Sequence, residues 1–186
     1  MKTLILILLL PTSLCCAQLP KVAVCRAESY LYVREKPANR SPQIDYFNKT
    51  AGAALGSYWC MSFVYTVYNE ASKLQGVKNP LLRTASVSNQ LKYAKRLGSK
   101  LKVINYKGFG LKTAKVGDIG CMKSGTFGIE DIGKLWSGHT FLVLSEQYDK
   151  FLTIEGNTNY LGSRNGDRVA KKSRNKNSVL ALIRAL

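Results

Sequence analysis

Phe63, Val64, Val67, Tyr68 and Ala71 recur at three- and four-residue steps, the period of a helix face turned into a core. The run opens at Cys60, so the spacing predicts a helix with that cysteine in its first turn, entered from a glycine-containing loop over residues 52–56. Weaker stripes of the same period predict helices over residues 22–34 (Val24, Ala27, Leu31) and 86–97 (Leu91, Ala94, Leu97). Pro37, Asn39, Ser41 and Pro42 break the chain between them, and residues 44–48 read as a short helix leading into the loop. From residue 101 the pattern changes. Short β-favouring runs at 101–104, 119–122, 140–144, 151–155 and 179–183 are punctuated by Gly, Asn and Asp. Helices first and strands afterwards predict an α+β domain, its antiparallel sheet packed on the N-terminal helices. No repeat, low-complexity tract or linker interrupts residues 18–186, which read as a single domain.

The N-terminus has a different character. Lys2, an unbroken apolar core over residues 4–10 and the small Cys15-Cys16-Ala17 read as a secretory signal peptide covering residues 1–17. Its apolar core is too short to span a bilayer, and no later stretch is long and apolar enough to do so. An uncleaved anchor and a lipid-modified Cys15 or Cys16 are the alternatives, although the residues ahead of both cysteines fit a bacterial lipoprotein signal poorly. The mature chain is therefore expected to be secreted or periplasmic.

Charge narrows the choice of partners. The chain carries 28 Lys and Arg against 11 Asp and Glu, a net +17. Between Ala71 and Gly117 there are eleven basic residues and no acid; Arg164, Arg168, Lys171, Lys172, Arg174, Lys176 and Arg184 extend the imbalance against Asp167 alone. Such a chain is expected to associate with polyanions: anionic cell-wall polymers, acidic lipid headgroups or nucleic acid. Aromatics interleaved with the basic residues are sparse and no nucleic-acid motif is present, which disfavours nucleic acid.

Cys25, Cys60 and Cys121 remain beyond the signal. An oxidising compartment would permit a Cys25–Cys121 bridge, and an odd count leaves at least one thiol unpaired. Without paired CxxC motifs or a histidine cluster a zinc site is disfavoured, and no cofactor is expected. Cys60 is the thiol with a use: unpaired N–H groups and the positive dipole end at a helix start favour thiolate over thiol. Its bland reading is a structural cysteine packed behind Trp59. A cysteine nucleophile needs a base, and His139, at the head of an apolar strand, is the chain's one histidine. If the following strand returns antiparallel, Glu155 or Asn157 comes level with His139 and can accept its second N–H; period-two alternation puts both on one face. Gly-Asn-Thr-Asn is also ordinary turn chemistry. Tyr58 and Trp59 are expected to line a substrate cleft, with a core position the alternative for Trp59.

Taken together, Tyr58-Trp59-Cys60-Met61-Ser62-Phe63-Val64, Val116-Gly117-Asp118-Ile119, Gly138-His139-Thr140 and Ile154-Glu155-Gly156-Asn157 resemble the CHAP family, the cysteine, histidine-dependent amidohydrolases/peptidases. The likeness runs from about residue 34 to the C-terminus. It implies a papain-like α+β fold and cleavage of amide bonds in bacterial peptidoglycan, in the peptides or at the muramoyl–alanine linkage. By that resemblance Cys60 is the nucleophile, His139 the base, and Glu155 and Asn157 the orienting pair. Met61 and Ser62 depart from the small apolar residues common there, and Phe141 replaces a common glycine, which implies a narrower cleft. Two other readings are a non-catalytic binder of anionic cell-wall polymers and a secreted nucleic-acid binder.

Overall fold

The computed structural model describes residues 18–36, 39–105, 113–123, 138–159 and 166–186. The signal segment with Cys15 and Cys16, Pro37, and the Trp136-Ser137 pair ahead of Gly138 lie outside them. Among the described residues four α-helices come first: α1 (Leu19–Glu28), α2 (Pro42–Ala51), α3 (Cys60–Leu74) and α4 (Val87–Arg96). Six strands follow: β1 (Leu101–Asn105), β2 (Ile119–Lys123), β3 (Gly138–Glu146), β4 (Lys150–Thr158), β5 (Arg168–Asn175) and β6 (Val179–Ala185). They form one antiparallel sheet in the order β1-β6-β2-β3-β4-β5. Helices packed on an antiparallel sheet are the α+β arrangement expected from the sequence.

α3 is the axis of the packing. Every residue from Cys60 to Tyr68 is buried, because α1 and α2 cover one side of the helix and β3 and β4 the other. A helix apolar on all sides is stable only when enclosed in this way. Phe47 of α2 joins it to the other helices, its ring 5.0 Å from Tyr30, 5.5 Å from Phe63 and 5.9 Å from Trp59. Along the sheet, alternation sends Ile119, Cys121, Leu142 and Ile154 to the helices. It sends Phe141, Val143, Phe151 and Leu182 to a second cluster on the opposite face.

The Val116–Ile119 motif is a structural joint. Gly117 takes φ +84, and Pro20 of α1 occupies the space a Cβ would need. Its carbonyl accepts from the Tyr68 hydroxyl at 2.7 Å and its N–H donates to Val143 O at 2.8 Å. Asp118 is buried and takes both Nε and Nη2 of Arg184, at 2.9 and 2.7 Å. Helix α3, strand β2 and strand β6 are thus tied together at one point.

Several sequence expectations change. α1 starts at Leu19 and ends at Glu28 rather than running to residue 34; a turn follows Ser29, and Leu31 is exposed. α2 is longer than residues 44–48. Ser41 caps Ile44 N–H at 3.3 Å and Pro42 stands in the first turn, where a missing N–H costs nothing, so this proline begins a helix. β5 lies outside the β-favouring runs of the sequence: half of its Arg168–Asn175 residues are basic, as suits an edge strand that faces water on one side. Cys25 is exposed on α1 and Cys121 buried on β2, and both thiols are free, so the bridge between them is not formed. Phe141 lies fully buried in the second cluster over Gly120, whose missing Cβ makes room for the ring. It does not stand in an open cleft.

Candidate active site

Cys60 is the first residue of α3. No side chain caps this helix end, so the first-turn N–H groups and the positive end of the helix dipole act on its sulfur. The sulfur lies 4.0 Å from the carbonyl oxygen of Gly138, 78 residues on, where β3 begins. His139 follows, fully buried. Its Nε2 is 2.8 Å from Oε2 of Glu155 on β4, also fully buried. Its other ring nitrogen, Nδ1, has no hydrogen-bond partner of ordinary geometry among the described residues, and the Cys60 sulfur acts on the ring.

These surroundings set the protonation states. Burial alone would pull the imidazole's pKa down, but the Cys60 sulfur and the Glu155 carboxylate override it and hold His139 at about 9. Burial would likewise raise Glu155; hydrogen bonds from Arg174 and His139 hold it instead at about 2. At neutral pH the ring is an imidazolium and the carboxylate is ionised. Burial and the Cys60 charge push the Cys121 thiol up to about 12, so it stays protonated.

Glu155 is gripped from three sides. Arg174 of β5 donates Nε to Oε1 at 2.7 Å and Nη2 to Oε2. The Thr153 hydroxyl donates to Oε1 at 2.7 Å. Neither residue belongs to the motifs that mark the site in the sequence. Arg174 there is one basic residue among several, and the only hint was that a carboxylate inside an apolar strand needs a counter-charge.

Asn157 is placed otherwise than expected. A register shift between Glu155 and Thr158 and a left-handed backbone at Asn157 (φ 55) break the alternation that would have set it beside Glu155. Its side chain is buried with both amide atoms unpartnered among the described residues, and the carboxylate on the imidazole is that of Glu155. Trp59 takes its alternative position, fully buried on Phe47 and the Gly156 backbone, and does not line a cleft. Tyr58 is 64% exposed, one residue further from the sulfur in sequence.

Gly156 sets how closely sheet and helix approach: a Cβ there would stand 2.7 Å from Cβ of Phe63 and 2.8 Å from the Trp59 ring. Among the described residues no group of three His, Cys, Asp or Glu is arranged to hold a metal ion, and no helix is long and apolar enough to cross a membrane. No protein-family model matches the chain, and no curated protein matches its sequence.

Proposed function

We propose that this chain is a cysteine hydrolase of the CHAP kind, papain-like in fold, secreted or periplasmic, cleaving amide bonds in bacterial peptidoglycan through a thioester. One observation carries the reading. The chain's single histidine, far from Cys60 in sequence, is buried between that cysteine's sulfur and a carboxylate, with its pKa raised by both. A histidine that served only packing would gain nothing from a sulfur at a helix start on one side and Glu155 on the other.

In the proposed reaction His139 starts with the proton, and the α3 N-terminus favours a thiolate as the attacking form of the sulfur. The Cys60 thiolate attacks the amide carbonyl, forming a C–S bond, and the Cys60 backbone N–H helps hold the oxyanion. His139 gives its proton to the departing amine as the C–N bond breaks. The neutral ring then takes a proton from water as the water oxygen bonds to the acyl carbon and the C–S bond breaks, which releases the acid and returns the sulfur as thiolate beside the protonated ring. Glu155 fixes the ring through Nε2, so that Nδ1 is the nitrogen left to exchange protons with sulfur, amine and water.

Cys60→Ala and Cys60→Ser are expected to abolish release of soluble fragments from purified peptidoglycan while the far-UV spectrum stays native. Undiminished release by either variant would remove the nucleophile. Mass spectrometry of the fragments assigns the bond: new N-terminal alanine with free muramic acid means an amidase, a new amine within the stem or cross-bridge an endopeptidase. The excess positive charge supports a second, compatible reading, retention on anionic wall polymers, which by itself predicts binding without thiol-dependent turnover.

A further inference from the structure

We infer that Arg174 is a positioning residue of the catalytic site: by neutralising Glu155 it lets His139 release its proton. The inference rests on the hydrolase reading for its purpose, but not for its geometry. Arg174 comes from β5, outside all four sequence motifs, and its side chain is only 11% exposed. Its Nε and Nη2 donate to the carboxylate, one to each oxygen, Nη2 also reaches the Thr158 hydroxyl at 3.4 Å, and Oε2 is the oxygen that also lies on His139 Nε2. The guanidinium's fork suits this two-point grip, and it cannot lose its own charge.

The charge count gives the consequence. In the proposed thiolate–imidazolium pair the charges offset each other, as they do in the carboxylate–guanidinium pair. Once the sulfur is acylated and the ring has given up its proton, the first pair has vanished. With Arg174 present, Glu155 still has a counter-ion. Without it, the site would hold a lone buried carboxylate, costly in low dielectric, which would keep the proton on the ring. Lys172 is the other cation on this strand to feel Arg174 and Glu155; its pKa is lowered by burial and by Arg174, and its ammonium donates to Asn159 O at 2.7 Å. On the helix side the Cys60 sulfur acts on the ring, and Cys121 of β2 feels Cys60 in turn.

His139 is the chain's sole histidine, so an untagged, 15N-labelled protein gives one imidazole to titrate by NMR. Arg174→Gln is expected to raise the His139 midpoint by roughly one unit or more. The alkaline limb of kcat/KM should move with it, and kcat should fall tenfold or more while KM changes little. Arg174→Lys keeps the charge and loses the fork: the midpoint should stay near wild type while kcat drops part-way. An unmoved midpoint in folded Arg174→Gln would overturn the inference. If that variant does not fold, Arg174→Met, which keeps an apolar stem and loses the charge, carries the same expectation, and an unmoved midpoint in it would overturn the inference. Because the titration needs no turnover, an inactive wild-type protein would sink the hydrolase reading and leave this test standing.

Discussion

The ionisation of Glu155 and His139 depends on the fold, and the two groups pull stability in opposite directions along the pH axis. Glu155 is held at about 2, below its ordinary 4.5, so its contribution is present above 4.5 and lost as pH falls through 2. His139 is held at about 9, above its ordinary 6.5, so its contribution is complete below 6.5 and lost as pH rises through 9. For these two groups stability is greatest between 4.5 and 6.5. Thermal unfolding measured across pH should therefore show a melting temperature that declines from neutrality toward pH 9. A melting temperature that climbs over that range would contradict the assigned protonation states. Cys60→Ala removes one of the charges that raises the ring, so its His139 midpoint should drop by roughly a unit and the alkaline decline should shift downward with it.

Among the elements, α3 and β4 meet at Gly156, where neither chain can retreat. Gly156→Ala would push a methyl group into Phe63 and Trp59, both fully buried, and is expected to cost about 1–3 kcal/mol in urea unfolding and to lower turnover. Gly98→Ala, with nothing within 4 Å of its Cβ, serves as the control and should change little. Equal unfolding midpoints for the two variants would mean the interface yields more easily than its packing indicates. Which elements could be read from sequence follows from where their energy comes from. α3, β1, β2, β3, β4 and β6 announce themselves because their burial requires unbroken apolar or alternating runs. α2 was under-read because capping by Ser41 and a first-turn proline look like chain breakers until the helix beyond them is seen. β5 was missed because an edge strand is held by backbone pairing with β4, which leaves its side chains free to be basic. Cys60, His139 and Glu155 were legible because their chemistry is scarce in this chain. Arg174 is hidden among lysines and arginines: in the β4–β5 register it stands opposite Phe151, and its long side chain reaches along the strands to Glu155.

Across the whole molecule, charge divides into a buried and an exposed population with different sensitivities to salt. The Glu155–Arg174 and Asp118–Arg184 pairs are enclosed and are screened little. Much of the remaining acid is also engaged, as in Glu70 with Arg26, Glu28 with Lys171 and Glu146 with Lys176. The stretch from Ala71 to Gly117 has no acid of its own, and Lys73, Lys78, Lys95, Arg96, Lys100 and Lys102 within it are exposed. Fields from such residues reach only about 8–10 Å at physiological ionic strength, so they act on a polymer in contact and not on the enclosed ions. Binding and chemistry should therefore separate. Cys60→Ala should be retained on purified walls as well as wild type at low salt and be released progressively as salt rises. The His139 midpoint should stay within a few tenths of a unit over the same salt range. Walls stripped of anionic polymer should retain neither protein. Retention that ignores salt would show that the lysines and arginines are not what hold the chain to the wall, while a midpoint that follows salt would place His139 within reach of solvent ions, against its burial.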